Sequence, residues 1–408
     1  MTRNPTEFTT TNPLPSNLLT NSISYLQFYL TFILAALGII VPIVTINTII
    51  DPYGIFMSPI TPGFNNMKTR QRQNSRLFKP IHASQAQYDT LLIGTSRVEQ
   101  GWQADSPGLG AERQAYNLAM GAQNTYETLA YTQHAITTNP KIKTILVGID
   151  FWTFLTVDNG GNIGRGFESY RLNYTGLHPW DGLRFGLSTH SFWRSLEVVS
   201  ASAQYPDKQV YTTRGTRNFS WPPPQPQKWP GNWFLVAHRA IPQPHGVVSS
   251  YFHYLEELVA ICRERDIDLQ LIITPAHTLS LRALEQFSDL DVYDAWKRRL
   301  VTIAPLWDFS DVNSVTTESV GPEMQHYDDI WHYSTTVGDW MMARVLGVEL
   351  PNSPADFGKR VDLKTIDKHL IETRSRYQQW KREHLPDLKQ LEQHWKRTPI
   401  PTSSATPD

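Results

Sequence analysis

The longest apolar segment of the chain lies near its N-terminus. Phe28 to Ile50 runs 23 residues without a charged side chain, and as a helix it would span about 34 Å at about 1.5 Å per residue. The segment exceeds the length of a signal-peptide core, and no A-x-A-like cleavage site precedes Asp51. The pattern therefore predicts an uncleaved transmembrane helix over residues 28–50, with a kink at Pro42.

The two flanks of this helix differ in composition. Residues 1–27 are rich in Thr, Asn and Pro and are predicted to be disordered. Arg3 is the basic side chain before the helix, and those that follow it are Lys68, Arg70, Arg72, Arg76 and Lys79. The positive-inside rule therefore favours a cytoplasmic main domain, although most of these charges lie at or beyond the roughly 15 to 20 residues over which the rule acts.

Short apolar runs alternate with helical patterns beyond residue 80. The runs are residues 88–94, 143–150 and 267–275, and the helical patterns are residues 124–137, 247–265 and 334–346. Continuous apolar strands between helices are typical of a parallel sheet covered on both faces. The predicted fold class is α/β, a three-layer α/β/α parallel sheet domain preceded by one transmembrane helix.

The main domain is predicted over residues 51–350. Its first part, residues 51–80, is a turn followed by a polar basic stretch, which predicts a tether along the surface of the domain or the membrane. Residues 157–245 are rich in Gly, Pro and aromatic side chains and predict an insertion of loops that forms a lid or a substrate wall. A charged helical cover over residues 351–398 and a disordered tail over residues 399–408 complete the chain.

The overall composition excludes some classes of protein. The chain has 37 Lys+Arg and 38 Asp+Glu, so no excess of positive charge indicates a nucleic-acid partner. A single cysteine, Cys262, excludes an intramolecular disulfide and a Cys-cluster metal site. The predicted insertion contains four tryptophans that could stack on sugar rings or simply pack: Trp180, Trp221, Trp229 and Trp233.

A candidate nucleophile follows the first apolar run, in the sequence G-T-S-R of residues 94–97. Parallel sheets place ligands at the carboxyl ends of their strands, and a serine in a tight strand-to-helix turn can project its hydroxyl into a cleft. Ser96 is therefore a candidate nucleophile, and its alternative role is an ordinary helix N-cap. The motif is not G-x-S-x-G, which argues against an α/β-hydrolase elbow.

A candidate base and its partner lie in the sequence D-I-W-H, near the end of the predicted main domain. A serine nucleophile needs a base to take its proton, and that base needs a carboxylate to fix its tautomer. His332 and Asp329 can supply both roles from one loop before a helix. Between them and Ser96 in the chain, Gly121 and Asn124 are candidate donors to an oxyanion, with a turn and a helix N-cap as their alternative roles.

These motifs together resemble the SGNH (GDSL-like) hydrolase superfamily, in particular its membrane-anchored bacterial members linked to cell-surface polysaccharide modification. The resemblance covers residues 51–350 and rests on five segments: D-P-Y-G, D-T-L-L-I-G-T-S-R, Y-N-L-A-M-G-A-Q-N, T-I-L-V-G-I-D-F-W and Y-D-D-I-W-H-Y-S. It implies an SGNH-type fold, Ser96 as the nucleophile, Asp329 and His332 as the terminal D-x-x-H, and Gly121 as the oxyanion glycine. No cofactor is implied.

Two positions depart from the pattern of that superfamily. Its G-D-S is G-T-S here, with Thr95 at the middle position, and its G-x-N-D is replaced by G-I-D, which ends at Asp150. The expected oxyanion asparagine is therefore absent, so that Asn124 replaces it or the oxyanion hole is incomplete.

Other polar residues at the predicted strand ends have competing interpretations. Arg97 could pair with Asp150 or with a substrate anion. His277 could contact substrate, rival His332 as the base or serve structure, but it lacks an adjacent carboxylate, which argues against the role of base. Arg97, Asp150 and His277 are therefore candidate substrate-binding residues. A metal site is the rival interpretation of four residues close in sequence, His326, Asp328, Asp329 and His332, but a serine-centred site needs no metal.

The sequence therefore predicts a membrane-anchored serine esterase or acyltransferase acting on acyl groups, O-acetyl above all, of an extracytoplasmic glycan. Anchored members of the superfamily keep the catalytic domain outside the cytoplasmic membrane. This topology conflicts with the one that the charge pattern favours, and we adopt it over the weaker charge signal. Expected partners are the membrane, the glycan or acyl-ester substrate, and a membrane-bound acyltransferase or polysaccharide-synthesis complex. The alternative function is a non-catalytic assembly or carbohydrate-binding subunit of such a complex, with a decayed site.

Overall fold

A computed structural model describes residues 16–155, 166–218, 221, 247, 249–287, 290–321, 323–386, 388–389 and 392–393. Its helices are α1 Ser16–Ile50, α2 Ser75–Gln85, α3 Ser96–Gly101, α4 Thr125–Thr138, α5 Ser169–Leu172, α6 Pro179–Gly186, α7 Thr189–Gln204, α8 Ser249–Glu264, α9 Leu279–Phe287, α10 Leu290–Ile303, α11 Thr335–Leu346 and α12 Ile366–Glu383. Its strands are β1 Thr90–Ile93, β2 Ala115–Asn117, β3 Thr144–Ile149, β4 Asp268–Ile273, β5 Leu306–Asp308 and β6 Lys359–Val361. Residues 16–27, predicted to be disordered, belong to α1, which begins 12 residues before the predicted start of the transmembrane helix. Residues 1–15 and the predicted disordered tail lie outside the described residues.

The strands form one mixed sheet with the order β2-β1-β3-β4-β5-β6. The first five strands are parallel, and β6 pairs antiparallel with β5, with Trp307 opposite Arg360. The prediction of a purely parallel sheet was therefore wrong at this edge. The reason is that β6 lies in the segment predicted as a helical cover, where three residues are too few to show a strand pattern.

The strands that the sequence predicted are the longest ones, and each contains a buried run. β1 and β3 are buried at every position, so their apolar runs are continuous, and β4 becomes buried in its second half. The helical patterns likewise correspond to α4, α8 and α11. The strands β2, β5 and β6 have three residues each, and the sequence analysis missed them.

The helices divide between the two faces of the sheet. Crossovers between parallel strands are right-handed. The successive connections β2–β3, β3–β4 and β4–β5 run in the same direction across the sheet, so they place α4, α8 and α10 on one face. The connection from β1 to β2 runs the opposite way across the sheet and places α3 on the other face, where α11 packs against it. The carboxyl ends of β1, β3 and β4 consequently meet at one edge, with a strand-to-helix turn at each.

The end of α1 is built into the domain. Asn47, Ile50 and Asp51 are buried, and the Asp51 carboxylate accepts hydrogen bonds from the N–H groups of Ile55 and Phe56. Residues 51–80 therefore fold as part of the domain, and the prediction of a surface tether was wrong. Polar composition misled it, because Lys68 and Lys79 are buried with their ammonium groups on backbone carbonyls.

The predicted insertion is partly helical. Residues 169–204 contain α5, α6 and α7, and α6 and α7 pack against α1. The Arg171–Asp181 ion pair, with N–O distances of 2.7 and 3.0 Å, ties α5 to α6 in a buried position. The expectation of loops was therefore wrong for α6 and α7. Residues 156–165, 219–220 and 222–246 lie outside the described residues.

Candidate active site

The nucleophile candidate sits at the first position of α3, directly after β1. Thr95 is the N-cap of this helix, since its hydroxyl oxygen accepts the N–H of Arg97 at 3.3 Å. The alternative role of Ser96 as an N-cap is thereby excluded. A glycine is needed at position 94, because a Cβ there would lie 2.9 Å from the carbonyl oxygen of Gly148 on the neighbouring strand.

The loop that carries His332 is closed by backbone hydrogen bonds. Tyr327 and Tyr333 form an antiparallel bridge, and the N–H of Asp328 donates to the carbonyl of His332 at 2.9 Å. Within the loop, one carboxylate oxygen of Asp329 accepts the N–H groups of Trp331 and His332 at 2.7 and 2.8 Å. The spacing D-x-x-H thus lets one aspartate hold both the loop and the imidazole.

Ser96, His332 and Asp329 form a hydrogen-bonded triad. His332 Nε2 lies 3.0 Å from Ser96 Oγ, and His332 Nδ1 lies 2.8 Å from Asp329 Oδ2. The side chains of His332 and Asp329 are 22% and 18% exposed. Residues 236 positions apart in the sequence therefore meet in the order nucleophile, base and carboxylate, at a place that solvent can reach.

The charge of Asp329 is stabilised by its hydrogen bonds. Burial acts to raise the pKa of this carboxyl, but the hydrogen bonds and charge of His332 and the two backbone N–H groups outweigh burial and lower the pKa. The carboxylate therefore stays ionised at neutral pH and accepts from Nδ1 of His332. This leaves Nε2 as the imidazole atom that faces the serine hydroxyl.

Two backbone N–H groups at the turn are candidate oxyanion donors. The pairing of β1 with β2 continues past both strands through the Met120 N–H and the Gly94 carbonyl at 3.1 Å, which brings Gly121 beside the turn at Ser96. The N–H groups of Ser96 and Gly121 donate no hydrogen bond to any residue that the structure describes. Arg76 fixes this loop, since it donates to the Gly121 carbonyl at 3.0 Å and pairs with Glu127.

Asn124 caps α4. Its side-chain oxygen accepts the N–H of Glu127 at 2.9 Å, and a Glu127 carboxylate oxygen accepts the N–H of Asn124 at 3.2 Å, which completes a capping box. The structure thus gives this residue the capping role that the sequence analysis left as the alternative. Its expected part in the oxyanion hole stays a prediction.

Arg97 and Asp150 are paired beneath the site rather than placed at its surface. Arg97 Nη1 lies 2.6 Å from Asp150 Oδ1, and both side chains are buried. The same guanidinium donates to the carbonyls of Trp331 at 2.8 Å, Thr274 at 3.4 Å and Pro275. The pairing of Arg97 with Asp150, one of the alternatives that the sequence left open, is therefore present, and their polar atoms link the ends of β3 and β4 to the loop of His332. Their expected part in substrate binding stays a prediction.

The two departures from the superfamily pattern are partners. The hydroxyls of Thr95 and Thr274 both donate to the Asp150 carboxylate, which also accepts from Arg97. A carboxylate at position 150 and a hydroxyl at position 95 therefore satisfy each other. Neither Thr274 nor this pairing was predicted from the sequence. The signal for the pairing of Thr95 with Asp150 was the occurrence of both departures at neighbouring strand ends.

His277 is buried and supports the loop of the triad. Its Nδ1 accepts the N–H of Leu279 at 3.2 Å, its Nε2 lies 2.8 Å from the Glu318 carbonyl, and its own N–H donates to the Ile330 carbonyl at 3.0 Å. Burial lowers the pKa of this imidazole to about 4, so it is neutral at physiological pH. The expected substrate contact is corrected to a structural role, because the side chain is 1% exposed.

The rival metal interpretation finds no geometric support within the described ranges. His326 Nδ1 lies 3.5 Å from Glu318, and its imidazole packs against Trp340 rather than beside His332. Among the described residues no group of three or more His, Cys, Asp or Glu side chains is arranged to hold a metal ion.

Comparison with known proteins adds little. No family model and no curated protein matches the chain. A solved structure from Streptococcus pneumonia, provisionally described as a platelet activating factor, is similar to it with 11% sequence identity and a TM-score of 0.34, over 68% of this chain and 92% of that one. A likeness this remote carries no argument about function, which must come from the site itself.

Proposed function

We propose that the protein is a membrane-anchored serine esterase or acyltransferase of the SGNH type that acts on acyl esters of an extracytoplasmic glycan. The observation that supports it is the triad, with 3.0 Å between Ser96 Oγ and His332 Nε2 and 2.8 Å between His332 Nδ1 and Asp329 Oδ2. Hydrogen-bond reach from nucleophile to base, and from base to carboxylate, is the arrangement that acyl transfer requires.

In the first half of the proposed reaction, Ser96 Oγ attacks the ester carbonyl carbon while His332 Nε2 takes the hydroxyl proton. Asp329 holds Nδ1–H and stabilises the imidazolium that forms. The negative charge on the tetrahedral carbonyl oxygen is met by the N–H groups of Ser96 and Gly121. The imidazolium then returns the proton to the leaving alcohol as the ester bond breaks, which leaves an acyl-serine.

In the second half, an acceptor hydroxyl attacks the acyl-serine. His332 takes the acceptor's proton and returns it to Ser96 Oγ as the acyl bond to the enzyme breaks. Water as the acceptor gives an esterase, and a sugar hydroxyl gives an acyltransferase. An O-acetyl group is the acyl group that the superfamily resemblance favours.

Membrane anchoring by α1 is part of the proposal. The described part of the chain has one helix long and apolar enough to cross a membrane, Tyr25–Ile50, of which 11% of the most apolar stretch is buried. We propose that it spans the cytoplasmic membrane once with the main domain outside. A topology reporter fused after Asp408 tests the orientation, because activity of the reporter on the cytoplasmic side alone would contradict it.

The alternative function is a non-catalytic assembly or carbohydrate-binding subunit. One observation favours it: the position of the family's oxyanion asparagine is Asp150, whose carboxylate is buried against Arg97 and two threonines. The proposed oxyanion hole therefore relies on backbone donors. Covalent labelling of an activated serine separates the two functions, since a binding subunit needs no activated serine.

The deciding experiment is covalent labelling of the full chain in detergent micelles with a fluorophosphonate, followed by intact mass. The full chain is used because Asn47 and Ile50 of α1 are buried in the domain, so that a fragment beginning at Asp51 would lose these contacts. We expect one adduct that is lost in Ser96→Ala and in His332→Ala. Ser334→Ala is the matched control, because this serine is the N-cap residue of α11 but makes no side-chain capping bond. The adduct should remain in this variant.

Absence of an adduct on the folded wild-type chain would contradict the catalytic proposal and favour the assembly role. An adduct that persists in Ser96→Ala would place the reactive serine elsewhere and also contradict it.

A further inference from the structure

The helix α7 buries small side chains and exposes large apolar ones. Its buried face includes Ser191, Ser195 and Ser202, whereas Trp193 and Leu196 are exposed. A helix at the surface of a soluble domain buries its large apolar side chains and exposes its polar ones. An exposed tryptophan beside an exposed leucine on such a helix indicates a surface that contacts something other than water.

The neighbouring helix α6 presents apolar side chains in the same way. Trp180, Leu183 and Leu187 recur at a helical spacing and are exposed, and Trp180 and Trp193 are 60% and 66% exposed. Both carboxylates of residues 179–204 are used in ion pairs, Asp181 with Arg171 and Glu197 with Arg70 and Arg194. No unpaired carboxylate of this pair of helices therefore opposes a negatively charged surface.

A third apolar segment surrounds the same end of α1. Met57, Ile60 and Phe64 are exposed, and the Asn65 side chain fixes their loop to α1 by donating to the Ile49 carbonyl at 3.0 Å. We name the exposed apolar side chains of these three segments the apolar collar: Met57, Ile60, Phe64, Trp180, Leu183, Leu187, Trp193 and Leu196.

The collar is attached to α1 at one level along that helix. The Asn47 side chain donates to the carbonyls of Gly186 at 2.8 Å and Ser188 at 2.9 Å, at the connection between α6 and α7. Almost every residue from Tyr25 to Pro42 is exposed, partial burial begins at Ile43, and Asn47 is the first buried residue. The exposed part has about 18 residues, or about 27 Å at about 1.5 Å per residue, which matches the hydrocarbon thickness of a bilayer of about 30 Å.

We propose that the apolar collar lies in the interfacial layer of the same bilayer leaflet from which α1 emerges. This inference rests on the proposed membrane anchoring and goes beyond it, because it gives the domain a fixed orientation instead of a swinging tether. The level of the collar follows from the length of exposed α1, and tryptophan is the side chain enriched at that depth. Helices that bury an apolar face at the interface, with lysine or arginine beside it, use the same chemistry, and Arg184 and Arg194 lie in α6 and α7.

The test measures the depth of single labelled positions in vesicles that contain the full chain. An environment-sensitive fluorophore is attached to the variants Leu183→Cys, Trp193→Cys, Leu34→Cys and Ile371→Cys. The native Cys262 does not compete, because its burial raises the pKa of the thiol to about 12 and leaves little thiolate. Lipids with a nitroxide near the headgroup, or near the chain end, then quench by contact.

Ile371 is the matched control for the collar. Its side chain is apolar and 69% exposed, and it lies on α12 near the β6 edge of the sheet. The segment that follows α7, residues 210–217, lies beside the opposite, β2 edge. We expect the headgroup-proximal nitroxide to quench positions 183 and 193 several-fold more than position 371. The nitroxide at the chain end should quench position 34 most strongly.

Two results would overturn the proposal. Quenching at position 34 without quenching at 183 and 193 would leave α1 in the membrane with the collar away from it. Protection of 183 and 193 from an aqueous quencher, without quenching by lipid, would mean that a second copy or another protein covers them. Fluorophosphonate labelling of Ser96 in the same variants is read independently, so failure of the catalytic proposal is distinguishable from failure of the collar.

Discussion

Two clusters in this sheet combine a serine, a histidine and an aspartate, and they differ in the order in which the three are bonded. In the candidate active site, His332 lies between Ser96 and Asp329. At the end of β5, the aspartate lies in the middle: Asp308 accepts from Ser310 Oγ at 2.7 Å and contacts His369 Nε2 at 2.9 Å. A histidine bonded only through the aspartate cannot take the proton of the serine.

The two clusters also differ in their access to solvent. Asp308, His369 and Lys297 are buried, with Lys297 Nζ 2.7 Å from Asp308 Oδ2. Burial acts to raise the pKa of Asp308, but the charge of Lys297 and the hydrogen bond with His369 outweigh it and lower the pKa. This cluster is therefore a buried ionic link between β5, α10 and α12. The same three residue types serve stability there and, in the proposed function, chemistry at Ser96.

The largest expected effect is on the rate of ester hydrolysis, and it distinguishes the serines of the two clusters. Ser96→Ala should lower the rate of ester hydrolysis, measured on a chromogenic acetyl ester, by a factor on the order of 10⁴ or more, because the nucleophile is removed. Ser310→Ala should leave the rate per folded molecule unchanged. Equal loss in both variants, with both folded, would mean that the β5 cluster also takes part in the reaction.

The next effect concerns the aspartate of the buried cluster. Asp308→Asn should reduce the free energy of unfolding by about 3 to 5 kcal/mol, because Lys297 is left charged and buried without its partner. Denaturant titration in detergent micelles measures it. Asp367→Asn, which removes the exposed ion pair with Arg298, is the control and should change little. A similar small effect in both variants would contradict the structural role of Asp308.

A third histidine, His277, is expected to make the free energy of unfolding depend on pH. The folded-state pKa of His277 is about 4, below the unfolded value of about 6.5, so the unfolded chain binds one more proton between these values. Its contribution to stability is complete above pH 6.5 and falls as the pH drops toward 4, by up to about 3 kcal/mol. His277→Gln should reduce the pH dependence of the unfolding free energy in this window. An unchanged slope would contradict neutral burial of His277.

The smallest expected effect tests the role of Asn124. Asn124→Ala should lower the free energy of unfolding by about 1 kcal/mol through loss of the α4 cap, with the rate of ester hydrolysis nearly unchanged. Asn124→Ser should restore stability, since serine also caps. A rate lower by about 100 to 1000-fold in both variants would instead make Asn124 an oxyanion donor.

The extent to which the sequence predicted the site depends on residue type and range. Ser96, His332 and Asp329 were found because a nucleophile after a buried strand and a D-x-x-H segment each have a local signature. For Arg97, Asp150 and His277 the sequence left a substrate contact and a structural role open, because a polar residue at a strand end can face a ligand or another strand end. Only the contacts of Asp150 with Thr95 and Thr274 decide between these.

The sequence by itself determined the α/β alternation, the apolar helix and the residue types of the site, since each is encoded by a periodicity or a short motif. Tertiary structure decided which strand ends meet, which serine faces a histidine, and where the large side chains of α7 point. The physical reason is that hydrogen-bond order and burial depend on residues far apart in the chain, such as Ser96 and His332, 236 positions apart. A local pattern gives the chemistry that is available, and the fold selects the groups that can meet.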